Sequence, residues 1–225
     1  MSKIIIFGAG KIADTAYHYL KNDSPYEISG FTVDKNYIKS DKYHGLPLVP
    51  FENVEEYFSP IQYKMLVLIG YQNLNKIRAE KYFEAKNKGY KFISYINSHA
   101  SIGIDTEIGD NCFICEFNSI QPGVKIGNNV VMWPNNIVSH HSIIKDHNWI
   151  TAGVTISGST TIESYCFIGV NTAIGHNIKI GSETLIGASS TITKNVDPKS
   201  VFITENTPKY KFDSTTFLRF TNLFE

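Results

Sequence analysis

From Ile102 to Ile192 an aliphatic residue falls on every sixth position: Ile102, Ile108, Ile114, Ile120, Ile126, Met132, Val138, Ile144, Ile150, Ile156, Ile162, Ile168, Ile174, Ile180, Ile186 and Ile192. No insertion breaks the series. Two residues before its members sit mostly small residues, among them Ala100, Thr106, Cys112, Ser142, Thr160, Cys166, Thr172 and Ser190. One residue after, glycine recurs at 103, 109, 127, 169, 175, 181 and 187. A period of six excludes an amphipathic helix, whose apolar stripe recurs every 3.6 residues. It fits a solenoid of short strands and tight turns, each coil burying its aliphatic residues against the next. Three hexads make a three-sided coil of 18 residues, so about five coils stack into a prism.

A chain of 225 residues has room for one large or two modest domains. Lys plus Arg number 21 and Asp plus Glu 21, without the basic excess of a nucleic-acid surface. No run approaches the ~20 apolar residues of a membrane span. The apolar start at residues 3–7 is too short for a signal-peptide core and runs straight into Gly8-Ala9-Gly10. A soluble, cytoplasmic protein is expected. Cys112 and Cys115 spell C-x-x-C, but Cys112 and Cys166 share the small-residue slot of the repeat, three coils apart. They read as interior residues, with no disulfide framework.

Ahead of the repeat, residues 3–7 read as a buried strand followed by Gly8-Ala9-Gly10-Lys11-Ile12-Ala13 and a helix with Ile12, Ala16 and Leu20 on one face. Residues 26–33 read as a second strand closing on Asp34, 46–49 as a short third, 51–58 as a short helix and 63–69 as a strand ending at Gly70. Residues 73–88 read as a helix and 90–96 as a last strand. This alternation predicts an α/β, Rossmann-like half domain. The loop matches G-x-G-x-x-A, which offers backbone N–H groups at a helix N-terminus to phosphate, and Asp34 can take ribose hydroxyls. A sheet ending near residue 97 is half a dinucleotide fold, enough for one nucleotide.

Within the repeat, Ser139-His140-His141-Ser142 follows the interior Val138, which places both histidines near a corner, pointing outward. One coil of 18 residues later, Gly158 should lie directly over His140, about 4.8 Å away, with His176 another coil along. An imidazole beside an N–H unobstructed by a side chain is a plausible general base with an oxyanion donor.

The repeat and the domain before it together resemble the hexapeptide-repeat acyltransferases, in particular bacterial nucleotide-sugar N-acetyltransferases and sialic acid O-acetyltransferases. The likeness spans about residues 3–209. It implies a left-handed parallel β-helix at 99–196, after a nucleotide-sugar-binding domain at 1–98 and before a C-terminal cap or tail at 197–225. It implies acetyl-CoA as co-substrate, no metal, and a nucleotide-linked amino sugar as partner, in surface polysaccharide biosynthesis. It also implies a homotrimer with active sites in the grooves between prisms. By residue, the resemblance makes His140 the base, with His141 in the place of a glutamate that tunes it. Asp146 or a backbone carbonyl would orient His140. The Gly158 amide holds the thioester oxygen, Trp149 and Val170 lie along the pantetheine arm, and Gly10, Lys11, Asp34 and Gly70 grip the nucleotide sugar. Thr207-Pro208-Lys209 matches part of a turn near the adenine. His147 and His176 read as surface residues, His176 able to line the cofactor groove. The aromatic tail, including Phe217, Leu218, Phe220, Leu223 and Phe224, is expected to cap the last coil or cross to a neighbour.

Two other readings compete. A zinc enzyme of γ-carbonic anhydrase type would use His140 and His176, but no third ligand is found and the first domain is left idle. A catalytically dead nucleotide sensor would leave the His140–Gly158 pairing without purpose. Within the acetyltransferase reading, the glycine loop and Asp34 favour a nucleotide-linked amine over the hydroxyl of free sialic acid.

Overall fold

The computed structural model describes residues 2–221. Its first part is a small α/β layer. Strands β1 (Lys3–Phe7), β2 (Glu27–Val33), β3 (Lys42–Tyr43), β4 (Leu46–Pro50) and β5 (Tyr63–Val67) form one sheet in the order β3-β4-β2-β1-β5. All pairs are parallel except the β3–β4 hairpin. Helix α1 (Lys11–Asn22) buries Ala13, Ala16 and Leu20 against it. A 3-10 turn and α2 (Val54–Tyr57) replace the expected helix at 51–58, and α3 (Lys76–Asn87) follows β5. Ile4, Ile5 and Ile6 are wholly buried, as a central parallel strand covered on both faces requires.

The expected helix at 73–88 starts three residues late. Asn73, Leu74 and Asn75 instead adopt positive φ of 49°, 49° and 66°. The buried Asn75 donates its amide to the Cys166 carbonyl at 3.0 Å, so this left-handed turn is anchored on the second domain. The expected last strand at 90–96 also differs. Only Phe92 bridges the sheet, to Met65, while β6 (Tyr95–Ile96) pairs with Phe113–Ile114 and opens the β-helix.

The β-helix runs in two-residue strands from Ser101–Ile102 to Thr191–Ile192, pairing in parallel with the strand 18 residues on up to the last coil, where Leu185–Ile186 pairs with Val201–Phe202. Three sheets result. The first face carries strands at 101, 119, 137, 155, 173 and 191, the second at 107, 125, 143, 161 and 179, and the third runs from β6 to Val201–Phe202. From Ile114 to Ile192 every member of the aliphatic series is 5 % exposed or less. Each such side chain contributes about 1.5–3 kcal/mol by burial. Ile102, in the uncovered first coil, is 39 % exposed. Several polar residues in the small-residue slot tie neighbouring coils together: Asn136 Oδ1 accepts the Val154 N–H at 2.8 Å and Ser142 Oγ donates to the Ser157 carbonyl at 3.1 Å, whereas the buried Thr106 hydroxyl has no partner among the described residues. Cys112, Cys115 and Cys166 are free thiols, and burial pushes each up to about 12.

The third face is covered by the α/β domain. Its outward residues Phe113, Val131 and Trp149 are buried in one cluster with Ala16, Leu20, Leu66 and Leu68. Asn111 seals the junction, its side chain accepting the Val67 N–H at 2.7 Å and donating to the Val67 carbonyl at 2.9 Å. Beyond Phe202 the chain is exposed up to α4 (Ser214–Thr221), whose Phe217 and Phe220 pack on Tyr210 and Phe212. The expected tail residues Leu223 and Phe224 lie outside the described residues. Among the described residues, no helix is long and apolar enough to cross a membrane.

Candidate active site

The corner between first and second faces is set by a backbone rule. From Ile102 to Ile186 the third residue after each aliphatic position has positive φ, here and at the other two corners, as at Asp105, Asn111, Asn129, His141, Asn171 and Asn177. Asn, Asp and His tolerate this region better than branched residues do. His141 is such a corner residue (φ 57°), and His140 precedes it, both exposed.

One coil away, Gly158 lies beneath the His140 ring. A Cβ placed on it would fall 2.7 Å from Cε1 and 2.8 Å from Nε2 of His140, so only glycine lets the imidazole lie there. No described group accepts the Gly158 N–H. The His141 ring lies likewise over Gly123, 3.2 Å from where a Cβ would be. The His140 backbone is held by its N–H to Gln121 Oε1 at 3.0 Å. Its Nδ1 faces His141 Nδ1 at 3.2 Å, so one donates and the other accepts. Asp146 does not orient His140. Its carboxylate accepts the Asn128 N–H at 2.6 Å, at the next corner of the coil. His176 is exposed, its ring centroid 6.4 Å from that of His140.

Trp149 is not beside this corner. It points outward from the third face, 2 % exposed, with Arg78 at 5.2 Å and Tyr71 at 5.3 Å from its ring, so its expected place on a pantetheine arm is taken by packing against the α/β domain. Val170 is 42 % exposed but lies at the corner between third and first faces. His147, expected at the surface, is buried: Tyr165, Phe83 and Tyr82 surround its ring, and Asn129 Nδ2 meets its Nδ1 at 2.9 Å. Burial holds its pKa down at about 4.

In the α/β domain the glycine loop divides its tasks. Gly8 (φ 137°) is packed, a Cβ there falling 2.8 Å from the Leu68 carbonyl and 3.1 Å from Ala13. Gly10 caps α1 and is exposed, with nothing within 4 Å of its would-be Cβ, and the exposed Lys11 follows. Asp34 sits at the end of β2 as expected, but its carboxylate is bound by Lys81 Nζ at 2.7 Å. Gly70 is closed over by the Gln72 side chain. The fully buried Arg78 was not foreseen. It donates to Asn129 Oδ1, the Asn129 and Asn148 carbonyls and Asn75 Oδ1 at 2.9–3.2 Å, and burial lowers its pKa to about 9. A lone helical arginine carries no pattern that announces this.

The bacterial transferase hexapeptide description, as six repeats, matches residues 105–140 and 159–194, and the fold there is a left-handed β-helix. Its two-part fold is shared by several solved structures. It is similar to the acetyltransferase domain of PglB from Neisseria gonorrhoeae FA1090, at 21% identity and TM-score 0.76 over 89% of this chain and 96% of that one. Perosamine N-acetyltransferase from Caulobacter crescentus, solved as a histidine-to-asparagine mutant with CoA and GDP-perosamine, is similar at 15% identity and TM-score 0.78, over 89% and 93%. WeeI from Acinetobacter baumannii AYE is similar at 19% identity and TM-score 0.76, over 88% and 94%. No curated protein sequence matches the chain.

Proposed function

We propose that the protein transfers acetyl from acetyl-CoA to the amino group of a nucleotide-linked amino sugar, with His140 as general base. The observation that carries this is the His140 imidazole seated over the side-chain-free Gly158. The PglB domain has also been solved with acetyl coenzyme A, and the Caulobacter enzyme with CoA and GDP-perosamine.

In this reading His140 donates its Nδ1 proton to His141 Nδ1, leaving the Nε2 lone pair free; His141 is then the positioning residue. The substrate nitrogen attacks the thioester carbonyl and the Gly158 N–H stabilises the resulting oxyanion. The proton released by nitrogen passes to His140, the C–S bond breaks, and the protonated imidazole returns a proton to the departing thiolate. No acyl-enzyme forms. Gly10, Lys11, Asp34 and Gly70 hold the nucleotide sugar, with Lys81 sharing Asp34.

The α/β domain covers the third face, whereas His140 is on the opposite edge of the same prism. Amine and base therefore meet between chains, which supports a homotrimer. Val170 then borders the thioester groove of a neighbouring chain, and Trp149 is released from any cofactor role. His140→Asn should lower kcat by roughly 10²-fold or more with acetyl-CoA affinity little changed. Turnover of nucleotide-linked amino sugars with acetyl-CoA, read by mass spectrometry, tests this. A variant within a few-fold of wild type would remove His140 from the mechanism.

A further inference from the structure

We propose that Asp14, His18 and His44 bind a divalent transition-metal ion, with Zn²⁺ the best fit to the donor set, and that the ion clamps the β3–β4 hairpin to α1. Asp14 and His18 are four residues apart on α1 and share one face. His44 comes from the hairpin turn, where it and Gly45 have φ of 51° and 77°. Turns with both φ positive usually take Asn-Gly or Asp-Gly. Here the histidine ring is stacked on Tyr17 (centroids 4.0 Å, 11°) and edged by Tyr43 at 4.7 Å. So held, its Nε2 stands 2.8 Å from Asp14 Oδ1, and His18 Nε2 stands 3.7 Å from the same oxygen.

The three donor atoms lie within 4.8 Å of one another. A tetrahedral ion with bonds of about 2.0–2.2 Å spaces its ligand atoms about 3.4 Å apart. The arrangement thus reaches ligation by a small withdrawal of His44 and an approach of His18, whose side chain is 60% exposed and free to swing. Two imidazoles and one carboxylate suit Zn²⁺ and leave its fourth position to water or a ligand oxygen. The neighbouring Tyr43 hydroxyl donates to the Gly10 carbonyl at 3.3 Å, so the clamp would also fix the hairpin against the glycine loop. The site is separate from the His140 corner and does not depend on acetyl transfer.

The test uses the chelator-stripped full chain. Co²⁺ titration followed by visible absorption, with Zn²⁺ competition, should show about one ion per chain binding tighter than about 10 µM. His18→Gln and His44→Gln should each weaken it at least ~10-fold and abolish the rise in thermal midpoint that Zn²⁺ gives. His176→Gln should leave Co²⁺ binding and the Zn²⁺ thermal shift unchanged. The intensity of the wild-type Co²⁺ bands reports a four-coordinate site without reliance on any variant. Binding that survives in both α1 and hairpin variants would put the ion elsewhere and overturn the proposal. So would the absence of binding below ~1 mM.

Discussion

His141 and His147 occupy the same place in consecutive hexads, with φ of 57° and 62°. Their surroundings give them different characters. His141 is exposed beside His140, whereas His147 is 3 % exposed, beneath α3. The corner position itself was legible, because a histidine just after an interior aliphatic residue must sit at a turn. Its burial was not, since the rings that cover it include Tyr82 and Phe83, far away in sequence. Burial depresses the His147 pKa from 6.5 to about 4, so the unfolded chain binds the extra proton first as pH falls. Its neutral form costs nothing above pH 6.5. Stability should therefore be lost between about pH 6.5 and 4, at no more than about 1.4 kcal/mol per unit and roughly 3 kcal/mol in all. Urea unfolding across that window should show the slope, and His147→Gln should flatten it. An unchanged slope in the variant would assign the loss to other groups.

Among elements, periodicity was the most legible signal, and it specified all three faces of the prism. The aliphatic series faces the interior, so the residue before each member faces out. At 18-residue spacing those on the third face are Phe113, Val131, Trp149, Phe167 and Leu185, an apolar stripe that calls for a cover. Trp149 lies on that stripe, and the end of the segment expected as a last strand of the first sheet, Tyr95–Ile96, pairs with the β-helix instead. The delayed start of α3 had no local signal, because Asn75 is held by Cys166 and Arg78 across the junction. Arg78 is the pin of α3. Desolvation lowers its pKa, but at about 9 it is still charged at neutral pH, with carbonyl and amide oxygens and the Trp149 ring in place of a carboxylate. Arg78→Met keeps the stem but orphans buried acceptors, which cost about 1–3 kcal/mol apiece. A loss of roughly 3 kcal/mol is expected in denaturant unfolding. A neutral outcome would mean that water takes over these bonds.

For the whole molecule, the three faces differ in what they leave free. The third is covered by the chain's own domain. The second is laced with ion pairs, the exposed Lys125–Glu107 and the half-buried Lys145–Glu163, both at 2.7 Å. The outward residues of the first, Ser101, Ser119, Ile137, Thr155, Ala173 and Thr191, carry no charge, and it adjoins the His140 edge. An uncharged flat face costs little to desolvate, so it is the natural contact for a neighbouring prism. If closed trimers form there, each active site takes its nucleotide domain from one chain and His140 from another. Gly10→Asp suits such a test, because Asp is favoured at a helix N-cap and the position is open, while its charge repels phosphate. Alone, Gly10→Asp and His140→Asn should both be nearly inactive. Refolded together at equal ratio, three-quarters of the trimers are mixed and each restores one intact site in three, giving about a quarter of wild-type activity. Sites built within single chains would recover nothing on mixing. That result would place the amine and His140 in the same protomer and require the α/β domain to leave the third face during turnover.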